Sequence, residues 1–523
     1  SKRFYMPYVG AIDQGTSSSR FILFDETGNK VATSQVEITN HYQDAHPGWV
    51  EHDPLEIINS VNACIEDVMR KFKPSDVCAI GITNQRETTV VWDKTTGKPL
   101  HRAIVWLDTR TRSIVEALVD KHKSQDYFRP RNGLPISTYF SAMKLRWLMD
   151  NVPDVKAACD NGTALFGTID SWLIWNLTGG VHGGTHVTDV SNASRTMLMN
   201  IKTRKWDASI CTELGIPMHI LPTIVSNSQV YGKVAAGGLQ SVVIAGCLGD
   251  QQAAMVGQQC FEAGSAKNTY GTGCFMLLNT GTAPVSSANG LLTTIGFQLG
   301  QNAPCYYALE GSVAVAGVGV KWLRDNLKMI ADAKDSNSLA ESVQDNGGVY
   351  LVPAFSGLLS PYWRSDARGV VTGLTLTTTK AHVVRAVVEA TAYQTRDVLE
   401  AMTQDAKANG TDLKLAELRV DGGMTASSFL MQFQSNLLQT PVVRPKMMEA
   451  TAAGSAFAAG LAVGFWKSLA DLRSKLSVNQ DAYTRFAPEA GSQAQSELCY
   501  RGWKRAVKRT FDLAGEPPPL AKL

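Results

Sequence analysis

Two pairs of polar residues follow apolar segments in the first half of the chain. Arg86 and Glu87 come after the apolar run CAIGITN, and Asp250 and Gln251 come between VVIAGCLG and a run of small residues. A guanidinium donor beside a carboxylate acceptor suits vicinal hydroxyl groups, which both donate and accept hydrogen bonds. A carboxylate that faces a cleft can accept the proton of an alcohol that attacks phosphorus. If these residues face a cleft, they suit phosphoryl transfer to a polyol.

Both pairs also have simpler interpretations. Neighbouring Arg and Glu side chains are often solvated at the surface, where they contribute little to stability. An Asp after a strand and two glycines is a common N-cap of a helix. The residue types alone leave these alternatives open.

Three polar glycine turns each follow an apolar strand pattern. The stretches are AIDQGTSSSRFILFD from Ala11, AKNTYGTGCFMLLN from Ala266 and ELRVDGGMTASS from Glu417. Glycine lets the backbone approach a ligand, and small hydroxyl residues supply donors for phosphate oxygens. Asp13, at the end of the first strand, is suitably placed for a hydrated Mg²⁺. A surface hairpin explains one such turn equally well, but their recurrence predicts the walls of a nucleotide cleft between domains.

The absence of two motifs narrows the class of nucleotide site. The sequence contains no G-x-x-x-x-G-K-[ST] and no strand-borne G-x-G-x-x-G. We therefore exclude a P-loop protein and a dinucleotide-binding fold.

The elements that must position these residues follow from residue periodicity. Apolar runs predict strands at residues 8–12, 20–24, 30–36, 78–84 and 88–93. Helical spacing is present at 139–151 and 383–402. The strand–turn–strand pattern recurs about half a chain apart, which predicts a duplicated α/β domain with a boundary near residue 258. The predicted domains are thus residues 1–258 and 259–523.

Composition limits the class of protein. The chain has 523 residues, 44% hydrophobic and 19% charged, with a formal net charge of +3. These values are typical of a soluble globular protein, and they argue against nucleic acid as a partner. The nine cysteines show no metal-ligand spacing, which predicts reduced thiols. The longest apolar run, residues 451–466, is too short to cross a bilayer and predicts a tightly packed buried helix, so we expect no membrane span.

Two longer stretches carry a family resemblance. YFSAMKLRWLMDN, residues 139–151, and GVVTGLTLTTTKAHVVRAVVE, residues 369–389, fit the two signatures of the FGGY carbohydrate kinases. The runs GWVEHDP, GITNQRETT, GDQQAA and AKNTYGTGCFM are similar to those of members that phosphorylate glycerol rather than pentuloses or gluconate. The chain resembles this family over nearly its whole length.

The resemblance implies an α/β fold of two ribonuclease H-like domains, of the actin and hexokinase type, with a cleft between them. It implies transfer of a phosphoryl group from ATP to glycerol, giving glycerol 3-phosphate and ADP, with Mg²⁺ as the metal. The direction of the reaction in the cell stays open, including the reverse reaction that makes ATP.

The resemblance also implies roles for matching residues. Asp250 is the implied general base, and Asp13 is implied in Mg²⁺ binding. The side chains implied in holding the glycerol hydroxyl groups or its carbon face are Arg86, Glu87, Tyr139, Asp250, Gln251, Trp106 and Phe275. The residues implied in nucleotide or phosphate contacts are Thr16, Ser17, Arg20, Gly271, Thr272, Gly317, Lys321, Gly423, Met424 and Ser427.

Some positions depart from the family pattern. Lys321 stands where relatives commonly carry Gln, and Ser427 where many carry Asn, so adenine contacts are expected to differ. Ser137 and Thr138 replace the Asp-Pro frequent in bacterial relatives, which predicts a less rigid loop beside the substrate. The stretch AAGGLQSVV lacks the basic loop through which bacterial relatives bind fructose 1,6-bisphosphate, and we expect no inhibition by that sugar phosphate.

The last three residues resemble a targeting signal. Ala521, Lys522 and Leu523 are similar to the S-K-L peroxisomal address. They predict a peroxisome-type organelle such as the glycosome, with the import receptor as a partner, and a cytoplasmic location if the tripeptide is not read. A homo-oligomer is also expected.

Two other functions stay open at this point. One is a kinase for another polyol or a ketose. The other is a non-catalytic ATP-binding switch on the same fold.

Overall fold

Two mixed sheets form the centre of the protein. The computed structural model describes residues 7–446, 449–477 and 483–514. The strands of the first sheet come from residues 8–249 and those of the second from residues 266–486. The predicted α/β fold with a duplicated strand pattern is confirmed, while the boundary at residue 258 stays a prediction.

The first sheet has six strands. In spatial order they are Ser228–Lys233, Val243–Gly249, Val77–Asn84, Tyr8–Gln14, Ser18–Phe24 and Lys30–Glu37. The second, third and fourth of these are parallel, and the other neighbouring pairs are antiparallel. The central strand Tyr8–Gln14 is almost wholly buried because helices cover both faces of the sheet.

The second sheet has seven strands. In spatial order they are Leu292–Phe297, Tyr306–Val313, Cys274–Gly281, Ala266–Tyr270, Leu418–Asp421, Val442–Pro445 and Tyr483–Phe486. It again combines an antiparallel hairpin, here joined at the turn after Tyr270, with parallel strands on one side. The repeat of this arrangement is what the two similar strand–turn–strand stretches predict.

The remaining elements are helices and short strands. The α-helices are Pro54–Met69, Arg112–His122, Arg129–Asn132, Ser141–Asn151, Pro153–Asp160, Ile169–Leu177, Val190–Ala193, Ala208–Glu213, Asp250–Gly257, Gly317–Asp325, Asp335–Glu341, Lys380–Ala408, Ser428–Leu438, Ala450–Ala462, Leu469–Leu476 and Ser492–Lys508. The short strands are His41–Tyr42, Val50–His52, Val90–Asp93, Ala103–Ile104, Ala164–Gly167, Val187–Asp189, Met199–Asn200, Lys205–Trp206, Thr223–Val225, Tyr350–Val352 and Val370–Thr372. The 3₁₀ turns are Pro74–Asp76, Gly180–His182, Met218–Ile220 and Gly423–Ala426.

One helix from the C-terminal half joins the two halves. Ala450–Ala462 packs on the first sheet and crosses the helix Asp250–Gly257. A Cβ atom at Gly454 would lie 1.9 Å from the carbonyl oxygen of Ala253, and one at Gly257 would lie 1.9 Å from that of Ala450. The small residues of this buried helix therefore allow its backbone to approach closely the helix that begins at Asp250.

Two further features bear on the sequence expectations. In the part of the chain that the structure describes, no helix combines the length and apolar composition that a membrane crossing needs. All nine cysteines are free thiols.

Candidate active site

Several of the predicted site residues lie where three neighbouring parallel strands end. Asp13 is next to last in its strand, Arg86 follows the strand that ends at Asn84, and Asp250 follows the strand that ends at Gly249. Asp13 is opposite Thr83, and Thr83 is opposite Leu248, in the sheet register. Because the carboxyl ends of parallel strands share one edge of a sheet, residues far apart in sequence meet there.

Arg86 is the centre of a buried charge cluster. Its Nη1 and Nη2 donate to Glu310 Oε2 and Oε1 at 2.7 and 2.8 Å, and its Nε lies 3.2 Å from Asp250 Oδ1. The Arg86 side chain is 2% exposed. The alternative of a solvated surface pair is therefore wrong, because the guanidinium is enclosed and hydrogen-bonded to buried partners, which include Gln252 Oε1 at 3.3 Å.

Glu87 faces a second guanidinium. Its Oε1 accepts from Nε of Arg195 at 2.5 Å and lies 3.9 Å from Nε of Arg86. Glu87 has a φ of 59°, in the left-handed region that only a few per cent of non-glycine residues adopt. Such a conformation persists where the surroundings enforce it, and it turns the carboxylate toward both arginines.

Asp250 combines partial exposure with a raised pKa. Its side chain is 32% exposed, and Oδ1 accepts from the backbone N–H of Gln251 at 2.7 Å. Desolvation in the cleft raises the pKa of Asp250 above its usual range, although the positive charges of Arg86 and Lys267 oppose the shift. Asp250 begins the helix Asp250–Gly257, whose N-cap residue is Gly249, so the N-cap interpretation is wrong.

Three aromatic rings lie beside the charged side chains of Arg86, Glu87 and Asp250, and together these groups form what we call the acceptor wall. The ring of Trp106 is 5.6 Å from that of Tyr139 and 6.4 Å from that of Phe275. The Arg195 guanidinium lies 5.3 Å from the Tyr139 ring centre. The wall therefore offers hydrogen-bonding groups on one side and an apolar surface on the other, which suits a small polyol.

The first glycine turn connects to this wall. Thr16 accepts a hydrogen bond from Nε1 of Trp106 at 2.9 Å, and Ser17 is exposed. Arg20 forms ion pairs with Asp13 and with Glu449, the latter at 2.6 Å. Desolvation raises the pKa of Asp13, while the Arg20 charge opposes that shift.

The predicted nucleotide residues of the second half of the chain line one cavity of about 420 Å³, whereas Thr16, Ser17 and Arg20 are not part of its lining. Its lining includes Gly271, Thr272, Gly317, Lys321, Gly423, Met424 and Ser427. Close backbone contacts require a glycine at one lining position, Gly317, and at Gly422, which precedes the lining residue Gly423. A Cβ at Gly317 would lie 2.7 Å from the Gly271 carbonyl oxygen, and one at Gly422, where φ is 93°, would lie 2.4 Å from that of Tyr270. The structure thus brings together all the predicted nucleotide residues that come from the second half of the chain.

Four buried charged residues of the site were not found from the sequence. Glu310 and Arg195 complete the charge cluster, Lys267 donates to Gln251, and Lys144 donates to the backbone oxygen of Thr138 at 3.0 Å. Each has 0% relative exposure. The available signal was a charged residue inside an apolar segment, as in YYALEGSV, since such residues are almost never fully buried unless paired.

The chain matches a known family along most of its length. Residues 8–257 match the FGGY family of carbohydrate kinases, N-terminal domain, and residues 266–463 match the C-terminal domain of the same family. A glycerol kinase of Acidiphilium cryptum is 54% identical over 506 residues, which cover 96% of this chain and 99% of that protein. A glycerol kinase of Arabidopsis thaliana is 53% identical over 520 residues, which cover 97% and 98%.

Solved structures show the same architecture. The crystal structure of Plasmodium falciparum glycerol kinase with ADP matches with a TM-score of 0.89 and 40% identity, over 97% of this chain and 98% of that chain. A gluconate kinase from Lactobacillus acidophilus matches with a TM-score of 0.84 and 21% identity, over 98% and 99%. The second similarity shows the fold alone.

Proposed function

The chain belongs to the FGGY family of carbohydrate kinases, and we propose that it transfers the γ-phosphoryl group of ATP to a terminal hydroxyl group of glycerol. The products are glycerol 3-phosphate and ADP. Similarity over nearly the whole chain to proteins of this activity supports the proposal. The observation that carries it is the acceptor wall, in which Arg86, Glu87 and Asp250 lie beside the rings of Trp106, Tyr139 and Phe275.

Each side chain of the acceptor wall has its own role in the proposed reaction. Arg86 and Glu87 donate to and accept from two glycerol hydroxyl groups, and Trp106 and Phe275 pack on the carbon face. Asp250 accepts the proton of the hydroxyl group that attacks the γ-phosphorus. The raised pKa of Asp250 suits this part, because a stronger base takes the proton more readily. The leaving ADP stays in the cavity lined by Gly271 and Gly423.

Exclusion of water follows from the position of the acceptor wall. Arg86 is bonded to Glu310 of the second sheet, so the two sheets meet behind the acceptor wall and close that side of the site to water. An enclosed acceptor hydroxyl replaces water as the nucleophile. ATP is therefore expected to be consumed in step with glycerol.

The test is ADP release from Mg-ATP with and without glycerol, with identification of the product. We expect ADP release to depend on glycerol and to yield glycerol 3-phosphate. Hydrolysis at the same rate without glycerol would overturn the acceptor assignment and favour the ATP-binding switch. Faster release with a ketose or another polyol would favour a different acceptor.

Mg²⁺ is part of the proposal, with Asp13 as its protein ligand. Oδ2 of Asp13 accepts from Arg20, and Oδ1 makes no hydrogen bond among the described residues. A single carboxylate near bound phosphates fits this ion, which usually keeps several waters and one or two carboxylate ligands. When bound, Mg²⁺ neutralises negative charge on the phosphate oxygens. Replacement of Asp13 by Asn is expected to raise the Mg²⁺ concentration needed for half-maximal activity, and an unchanged requirement would exclude Asp13.

The location in the cell is also a proposal. Ala521, Lys522 and Leu523 lie outside the described residues, and the sequence alone supports a peroxisome-type organelle and binding to its import receptor. Pelleting of the protein with organelles, lost on deletion of Leu523, is the expected result. Unchanged partition after the deletion would favour a cytoplasmic location.

Assembly and direction complete the proposal. We expect a homo-oligomer, most simply a dimer, which sedimentation velocity measures directly. In an organelle with much glycerol 3-phosphate and ADP, the reaction is expected to run in reverse and make ATP. ATP formation from those two substrates by the purified protein tests that step.

A further inference from the structure

Glu310 joins the acceptor wall from the opposite sheet. It lies within the strand Tyr306–Val313 of the second sheet, between apolar and glycine neighbours, and has 0% relative exposure. Both of its carboxylate oxygens accept from Arg86, which follows a strand of the first sheet. The contact therefore crosses the cleft at its base.

This bidentate contact fixes how Arg86 faces Asp250. A guanidinium held through two parallel N–H bonds cannot rotate in its plane, and this geometry is specific to the Arg–carboxylate pair. With Nη1 and Nη2 held by Glu310, the Nε edge remains for Asp250 at 3.2 Å. Release of Glu310 would free both ends of the guanidinium.

A second arginine also faces the carboxylate of Glu310. Nη2 of Arg195 lies 3.4 Å from Glu310 Oε1. Burial opposes ionisation of Glu310, but the charges of Arg195 and Arg86 outweigh it and lower its pKa to about 2. Glu310 is thus the shared counter-ion of two enclosed guanidinium groups.

We propose that Glu310 is a positioning residue for the reaction, which holds Arg86 across the cleft so that acceptor binding and proton transfer to Asp250 both depend on it. This inference rests on the proposed transfer to glycerol. It adds to that function a residue that touches neither substrate and comes from the other sheet. Loss of the Glu310 charge is expected to lower the pKa of Asp250, because that charge raises this pKa and competes for Arg86.

The test compares Glu310→Gln with the parent protein over a range of pH. We expect kcat/KM for glycerol to fall about 10²-fold, the cost of a small misplacement of a catalytic group. The KM for ATP is expected to stay unchanged. The acid limb of the kcat profile is expected to move to lower pH. Unchanged kcat/KM and an unmoved acid limb would overturn the proposal.

The control is another buried carboxylate of the C-terminal half, Asp397→Asn. Asp397 accepts from Tyr500 and Trp503 and pairs with Lys504 at 2.8 Å, away from the acceptor wall. Both variants are expected to melt at lower temperature. Only Glu310→Gln is expected to shift the acid limb, whereas the same shift in Asp397→Asn would reduce Glu310 to a structural role.

A milder variant tests the positioning role of Glu310 if Glu310→Gln does not fold. Glu310→Asp keeps the charge but withdraws the carboxylate by one methylene group. We expect an intermediate loss of kcat/KM for glycerol, and full activity in this variant would overturn the proposal. Glycerol-dependent ADP release by the parent protein reports on the function itself, so failure of the function and failure of this inference are distinguishable.

Discussion

Replacement of Asp250 by Asn removes proton acceptance and one negative charge while it keeps the shape of the side chain. Oδ1 of Asp250 accepts from the backbone of Gln251 at 2.7 Å and lies 3.2 Å from Nε of Arg86. An amide oxygen can make both contacts, so the geometry of the wall is retained. The amide cannot take a proton from glycerol. The variant therefore removes the base while leaving the acceptor in place.

We expect a large fall in kcat and only a small change in the KM for glycerol. A positioned base contributes roughly 10²- to 10⁴-fold, which corresponds to about 3 to 5 kcal/mol in the barrier. The KM for glycerol should change by less than about threefold, because Arg86, Glu87 and the aromatic rings are unchanged. The assay is ADP release at saturating Mg-ATP with glycerol varied.

The pH profile gives an independent measurement. Asp250 must be ionised to accept the proton, and desolvation raises its pKa. The kcat of the parent protein is therefore expected to fall as the pH falls through that raised pKa, and the remaining kcat of the Asn variant should lack this acid limb. Turnover within tenfold of the parent, or an acid limb that persists in the variant, would refute the assignment of Asp250 as the base.

Three further changes test the surroundings of the site. Trp106→Ala removes an apolar surface of the acceptor wall, and we expect the glycerol KM to rise about tenfold or more with a smaller change in kcat. Lys144→Met leaves the Thr138 and Tyr139 carbonyl oxygens without their donor, and we expect a higher glycerol KM. Gly454→Ala places a Cβ 1.9 Å from a backbone oxygen, so the free energy of unfolding should fall by about 1 to 3 kcal/mol. The thermal unfolding temperature should fall with it.

Each of these changes has an outcome that contradicts its reasoning. A glycerol KM unaffected by Trp106→Ala would mean that the ring does not contact the substrate. Burial lowers the pKa of Lys144 from 10.5 to about 7, so its buried charge costs stability below about pH 7 and this cost disappears as the pH rises toward 10.5. The melting temperature of the parent relative to Lys144→Met should rise over that window, and a constant difference would contradict the burial of the charge. An unchanged melting temperature for Gly454→Ala would contradict the close crossing of the two helices.

The sequence predicted the parts of the site that local patterns encode. The strands predicted at 8–12, 20–24, 30–36 and 78–84 are confirmed, and the one predicted from residue 88 begins at Val90. Glycine turns after apolar runs identified where ligands could approach the backbone. These patterns succeed because strand alternation and turn chemistry depend on neighbours in sequence.

The partners of the predicted residues could not be predicted in the same way. Glu310 is 224 residues from Arg86, and Arg195 is 108 residues from Glu87. The first pairing depends on how the two sheets face each other, and the second on how the segment after the helix Val190–Ala193 packs against the end of the strand Val77–Asn84. No local sequence pattern specifies either arrangement. A lone acid in an apolar strand indicates only that some buried cation must lie nearby. Such a signal would indicate that a partner exists, and only the assembled fold shows which residue it is.

Selection of the acceptor depends on side chains, because one fold can serve kinases of several sugars. The acceptor wall and its ion-pair partners contain the guanidinium groups of Arg86 and Arg195 and the carboxylates of Glu87, Glu310 and Asp250. With the positive charge of Lys267, which acts on Asp250, these formal charges cancel. A sugar acid would bring an extra negative charge into this enclosed cluster, and an uncompensated buried charge is strongly unfavourable. A neutral polyol exchanges hydrogen bonds with water for hydrogen bonds with the wall, and its carbon face covers apolar rings. The charge balance of the wall thus favours a small neutral acceptor over an anionic one.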